Sequence, residues 1–254
     1  MSIKVGIFET KYGKMACLPN DVEFARSLSS GKLYEEDILD SLREYLKGDG
    51  DILDVGAHIG GHSLYFSHYR NPTQKLFCFE PQNVLYEILK ANLQMNNVEN
   101  VEAMNNAAGP YEDTIYLDKD FTKDHYPAWL KVDYQSEHGM NFGGLGVTND
   151  EGGEQVKMIK LDDVLQEKTK KVHFIKIDTE GAENGVVYGL GNTIFRDKPI
   201  LFIENNKDKK RDAEFLQKLP SLKTFDYIQM LKSIGYKDPI DFPGSNQLFI
   251  YQKA

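Results

Sequence analysis

Asp51-Ile52-Leu53-Asp54-Val55-Gly56-Ala57-His58-Ile59-Gly60-Gly61-His62-Ser63 reads as a buried strand, a glycine turn and the start of a helix. The short apolar run 51–55 is preceded by the breakers Lys47-Gly48-Asp49-Gly50, so it is bounded as a strand should be. Glycines in the turn let backbone approach a ligand closely. The helix that follows offers unpaired N–H groups and a partial positive charge, which suit a carboxylate. In open α/β sheets, ligands bind at the carboxyl ends of the strands. The glycine spacing is Gly56-x-x-x-Gly60-Gly61, with His58 where the dinucleotide fingerprint G-x-G-x-x-G carries its second glycine. That disfavours a pyrophosphate. A strand-to-helix turn can also carry glycines for structural reasons alone.

Working outward, short apolar runs alternate with helix-length segments. Strands are expected at 75–80, 101–105, Val172–Ile177, Ile200–Glu204 and 247–251, and helices at 60–69, 84–95, from 178 through 190, and 225–234. The segment to about residue 46 looks helical, with Ile38, Leu39, Leu42, Tyr45 and Leu46 at helical spacing. Alternation of this kind predicts a mostly parallel sheet with helices on both faces. The chain of 254 residues suits one domain, with an N-terminal helical cap over about 1–50.

Residues of about 118–155 break the rhythm. They hold His125, Tyr126, Trp129, Tyr134, His138 and Asn141-Phe142-Gly143-Gly144-Leu145-Gly146. The flanks 114–117 and Gln155–Lys160 are expected to pair as strands, making the stretch an inserted flap on the substrate side. Long irregular segments in compact domains are usually functional or disordered, and the aromatic content argues against plain disorder.

A net charge of −9 makes the chain a poor nonspecific ligand for nucleic acid. Cys17 and Cys78 give neither a zinc spacing nor a disulfide framework. No apolar stretch is long enough to span a bilayer, and the first residues carry no signal-peptide pattern, so a cytoplasmic protein is expected. Nucleic-acid and membrane partners are not expected.

Two further constellations carry chemistry. Phe77-Cys78-Phe79-Glu80-Pro81 ends a strand with an acid one βαβ step after Asp54. A carboxylate there can accept both hydroxyls of a ribose, and Pro81 stiffens its backbone. NAD enzymes share this feature. The second is Ile175-Lys176-Ile177-Asp178-Thr179-Glu180-Gly181-Ala182-Glu183, which runs a strand into three acids around a glycine. Asp178 should reach the sheet edge beside the first turn. Glu180 and Glu183 enter a helix start, where acids also favour the dipole.

Asp54–Gly60, Phe79-Glu80-Pro81, Asn106-Ala107-Ala108-Gly109, Leu161-Asp162-Asp163 and Lys176–Glu183 together resemble the FkbM family of S-adenosylmethionine-dependent methyltransferases. The resemblance spans roughly 32–206. It implies a Rossmann-like class I methyltransferase sandwich, with a mostly parallel seven-stranded sheet, helices on both faces and the inserted flap. It implies O-methylation of a hydroxyl on a sugar, glycan or similar small polyol, or on a non-sugar natural product. A nicotinamide-dependent oxidoreductase is the reading from a different class.

The resemblance also assigns positions. Asp54, Gly56 and Ala57, with His58, Gly60 and Ser63, match the turn that holds the amino-acid end of S-adenosylmethionine. Glu80 and Pro81 match the ribose acid. Asn106 and Ala107 flank the adenine. Lys32, Tyr34 and Glu35 resemble a segment that closes over the cofactor. Asn141 with Gly143-Gly144 is similar to an Asn-x-Gly segment ahead of the Leu-Asp-Asp motif. Asp178 matches the acid beside the methyl group. His58 departs from the family, which usually has Asn there. The catalytic candidates are Asp178 as base or acceptor-orienting group, then Glu180 and Glu183, with His125 and His138 behind them. Asp178, Glu204 and Asn205 form a possible set of hard oxygen ligands for magnesium, although a metal is not expected.

Overall fold

The computed structural model describes residues 3–118, 132–148, 151–205 and 218–252. The decisive stretch is strand β3 (Asp51–Val55), followed by helix α3 (Gly61–Tyr69). Its parallel neighbours are β4 (Leu76–Phe79) on one side and β10 (Val172–Ile177) on the other, with Val55 opposite Phe79 and Ile177. Beyond β4 lies β5 (Val101–Met104), and beyond β10 lies β11 (Ile200–Glu204), both parallel. Antiparallel β13 (Asn246–Phe249) and β12 (Ile240–Asp241) close that edge. The order is β12-β13-β11-β10-β3-β4-β5, the mostly parallel seven-stranded sheet the sequence implied.

Successive side chains of a strand point to opposite faces. Ile52, Cys78 and Phe174 accordingly pack with Leu64 and Phe66 of α3 and with α4 (Asn83–Met95). Leu53, Phe77 and Ile175 pack on the other face with α6 (Glu183–Gly189) and α7 (Gly191–Asp197). Both faces are covered, which is why these strands read as near-continuous apolar runs. Strand order reverses between β3 and β10, and the crevice outside their carboxyl ends is where such sheets bind ligands.

The N-terminal segment differs from the helical cap expected. It opens with an antiparallel hairpin, β1 (Gly6–Thr10) with β2 (Gly13–Cys17). Helix begins only at α1 (Val22–Ser29) and continues as α2 (Glu36–Leu42). The hairpin turn is local: Thr10 Oγ1 accepts from the Tyr12 amide and donates to the Gly13 carbonyl. Asn92 of α4 then seats it, accepting from the Ala16 amide at 2.6 Å and donating to the carbonyls of Ala16 and Ile59 at 3.0 and 2.8 Å.

The flanks of the insertion pair as expected, β7 (Asp113–Leu117) antiparallel to β9 (Gln155–Lys160). They belong to a second sheet, ordered β6-β9-β7-β8, with β6 (Ala107–Gly109) parallel to β9 and β8 (Val147–Thr148) at the far edge. His125, Tyr126 and Trp129 lie outside the described residues. Among the described residues, no helix is long and apolar enough to cross a membrane.

Candidate active site

A cavity opens at the reversal of strand order. The turn after β3 is built from backbone: the Gly56 and Ala57 amides donate to the Phe79 carbonyl, and the Asp178 amide donates to the Val55 carbonyl. Gly56 sits at φ +79°, and a Cβ there would lie 1.8 Å from the Asp178 carbonyl oxygen. Only glycine lets the ends of β3 and β10 approach this closely.

His58 also has a positive φ of 52°, which aims its amide at Glu80 Oε2 at 2.8 Å. The Gln82 amide donates to Glu80 Oε1 at 2.9 Å. Two backbone donors therefore fix the carboxylate, which is 3% exposed on the cavity wall. Burial pushes it up, against the pull of His58 and these amides. Glu80 also serves the start of α4 through Gln82, so local and ligand roles coincide.

Of the residues that the resemblance assigned to the cofactor, Tyr34, Glu35, Gly56, His58, Glu80, Pro81, Asn106, Ala107 and Asp178 line the cavity. Asp54, Ala57, Gly60 and Ser63 do not line it and shape the turn from behind. Ser63 Oγ donates to Asp54 Oδ2 at 2.5 Å, and both side chains are fully buried. Lys176 ties this layer to the wall: its Nζ donates to the Gly56 carbonyl at 2.7 Å and lies 3.5 Å from Asp54 Oδ1 and 3.2 Å from Asp178 Oδ2. Burial works against its charge, yet Asp178 and Asp54 hold the ammonium above its ordinary range.

Acids gather at the other end of the cavity. Asp178, Glu180 and Glu204 each place an oxygen within 4.8 Å of the others. Burial pushes Glu204 up to about 9, helped by the charges of Asp178, Glu180 and Glu183. Burial also pushes Asp178 up, but Lys176, His62 and a hydrogen bond with Glu204 outweigh it, leaving its carboxyl below the usual range. At neutral pH, Asp178 is thus an anion and Glu204 an acid. A proton on Glu204 already relieves part of the crowding that a cation would relieve.

Asn205, the third member of the ligand set expected from sequence, is off the cavity wall. Its backbone amide donates to the Ser245 carbonyl and its side chain to Gln247 Oε1, so the turn to β13 holds it.

Glu183 is also placed differently from the catalytic expectation. Its Oε1 accepts from the Thr179 amide, the Thr179 hydroxyl and the Gly181 amide at 3.0–3.1 Å, off the cavity wall. It braces the 178–183 loop, and burial raises it to about 7. His138 is exposed and outside the wall.

Several wall residues escape sequence reading. Phe24 stacks on His58 at 3.9 Å and packs on Tyr34 at 4.6 Å, and Asp21 Oδ2 lies 3.2 Å from His58 Nε2. Asn246 reaches the wall because β13 pairs Asn246 with Glu204, a register no local motif announces. Asn141 and Gly143 of the insertion are on the wall, seated by Gln82, which donates to the Phe142 carbonyl at 2.8 Å and accepts from the Tyr134 hydroxyl at 3.0 Å.

The Methyltransferase FkbM domain family matches residues 54–237. The chain belongs to the FkbM methyltransferase domain family. Membership removes the ground for the nicotinamide-dependent reading.

"Methyltransferase 1" of Beauveria bassiana (strain ARSEF 2860) is 28% identical over 153 residues, 56% of this chain and 59% of the relative. The 31-O-demethyl-FK506 methyltransferase FkbM of Streptomyces tacrolimicus is 30% identical over 156 residues, 56% of this chain and 60% of the relative. The chain spans about six-tenths of the length of the curated relatives it matches. The crystal structure of methyltransferase FkbM from Methylobacillus flagellatus KT superposes with a TM-score of 0.46 at 16% identity, over 81% of this chain and 44% of that one. The FkbM match begins at Asp54, so Phe24, Tyr34 and Glu35 reach the cavity from outside it, as does Asn246.

Proposed function

We propose that the chain is an S-adenosylmethionine-dependent O-methyltransferase acting on a hydroxyl of a sugar, glycan or similar small polyol. The observation that carries the cofactor is Glu80, held by two backbone amides on the cavity wall. A carboxylate has about four acceptor positions, so two remain for a pair of ribose hydroxyls. The cradle at Gly56, which a Cβ would fill, suits close backbone approach to the amino-acid end. Asn106 and Ala107 are on the wall where an adenine would be flanked.

S-adenosylmethionine, when bound, supplies a methyl group already activated on a sulfonium. The chain's residues must then bind and align the acceptor oxygen, which can supply a large share of the acceleration. Asp178, Glu180, Glu204, Asn141 and Asn246 offer acceptors and donors suited to several hydroxyls at once. Asp178, ionised beside Lys176, orients an acceptor hydroxyl, and protonated Glu204 donates to a neighbouring oxygen. A divalent metal is not part of this reading.

A non-sugar natural product is the second reading. The Streptomyces relative is named for 31-O-demethyl-FK506, and the Phe24 and Tyr34 rings give the wall an apolar side. A screen with methyl-labelled S-adenosylmethionine over sugars, nucleotide sugars and glycans separates the readings. Label entering a polyol is expected, and label entering only a protein, a base or an apolar natural product would overturn the substrate class.

A further inference from the structure

Glu35 is a carboxylate the fold does not use. It stands at the N-cap of α2 in the left-handed region, φ 56°, yet makes no capping bond. Its side chain is 18% exposed and lines the cavity. The groups facing it come from every element packed around it: Tyr34 beside it in the chain, His62 from α3, Lys176 from β10, Asp178 just after that strand, and Asn246 from β13. Asn246 Nδ2 stands 3.5 Å from Oε1 and His62 Nε2 3.6 Å from Oε2. Neither is a strong hydrogen bond.

A general base needs access to the proton and an affinity for it near the working pH. Asp178 is handicapped in the second respect, because Lys176 sits 3.2 Å away and stabilises its charge. Glu35 is not. Burial first, and then the charge of Asp178, outweigh the pull of Lys176 and Asn246 and push it up to about 6, so it is largely ionised at neutral pH while keeping a useful affinity. His62 does not spoil this. Burial and Lys176 hold it down to about 3, so it stays neutral and does not pin Glu35 as an anion.

We propose that Glu35, rather than Asp178, takes the proton of the acceptor hydroxyl. This rests on the methyl-transfer reading above. The acceptor oxygen forms a bond to the methyl carbon, the carbon–sulfur bond breaks with its electron pair left on sulfur, and the O–H proton passes to the Glu35 carboxylate. One anion and one sulfonium become a neutral acid and a thioether, so charge balances.

The test uses the full chain, with S-adenosylhomocysteine titrated calorimetrically and methyl transfer from labelled S-adenosylmethionine followed against pH. Glu35→Gln should bind S-adenosylhomocysteine within about threefold of wild type, whereas Glu80→Gln should bind about tenfold more weakly. Transfer to the polyols accepted by wild type should fall about 100-fold in Glu35→Gln. Wild-type activity should rise with pH through about 6, a limb Glu35→Gln lacks and Glu35→Asp keeps. A Glu35→Gln variant that turns over like wild type, or loses S-adenosylhomocysteine as Glu80→Gln does, overturns the proposal. A wild type that binds S-adenosylhomocysteine yet methylates no polyol overturns the polyol reading instead, and the proton role falls with it.

Discussion

Lys176 holds three groups with one ammonium: the Gly56 carbonyl, Asp54 and Asp178. Its removal takes the counter-charge from Asp54, which is fully buried, and from Asp178 on the cavity wall. Lys176→Met should therefore cost about 3–5 kcal/mol, the range for breaking a buried ion pair from one side. Urea denaturation measures this, and an unchanged midpoint would contradict the bridging role. At this scale the sequence was readable where an acid ends an apolar strand, because strand geometry fixes where Glu80 and Asp178 emerge. Glu183 was not readable. An acid in the first turn of a helix can point at a ligand, at the helix dipole or back into its own loop. The structure chooses the loop through Thr179 and Gly181. His58, the departure from the family, is held by Asp21 and Phe24, which lie more than thirty residues earlier in the chain.

The turn after β3 and the loop after β10 are elements that constrain each other through Gly56. Gly56→Ala would place a Cβ 1.8 Å from the Asp178 carbonyl oxygen and must accept a φ of +79°. The expected result is loss of S-adenosylhomocysteine binding with a melting temperature several degrees lower, on the order of 1 kcal/mol or more. Wild-type affinity would contradict the close approach.

Glu183 gives the loop a pH signature. Its folded value near 7 lies above an ordinary 4.5, so the stability it provides is full below about 4.5 and is lost as pH rises towards 7. Glu183→Gln keeps an oxygen that can accept the same bonds but cannot ionise. Its melting temperature relative to wild type should improve between pH 5 and pH 8. An equal difference at both pH values would contradict the burial of that charge. The core strands β3, β10 and β11 were legible from their apolar runs. The β1–β2 hairpin was not, because its strands are short and half-exposed.

At the scale of the whole molecule, the N-terminal segment and the insertion meet over the sheet's carboxyl edge. The Met140 amide donates to the Asn20 carbonyl at 2.7 Å and the Val22 amide to the Met140 carbonyl at 2.9 Å. Asn92 anchors the hairpin that precedes this junction. Asn92→Ala breaks three buried hydrogen bonds and leaves backbone groups of Ala16 and Ile59 unpaired. It should cost about 3 kcal/mol in denaturant unfolding and speed proteolysis near residues 10–17. Equal stability would remove the tether. The sheet and its crevice followed from the alternation of strands and helices. The cavity's far wall did not, because Phe24 and Asn246 arrive by tertiary contacts that carry no local pattern.

The central claim is that the crevice at the β3–β10 reversal binds S-adenosylmethionine through Glu80. Calorimetric titration of the full chain with S-adenosylhomocysteine, beside NAD, tests it most directly. One-to-one binding of S-adenosylhomocysteine, weakened about tenfold in Glu80→Gln, with no heat from NAD, is the predicted result. Binding of NAD in its place, no binding of S-adenosylhomocysteine, or an affinity unmoved by Glu80→Gln would contradict it.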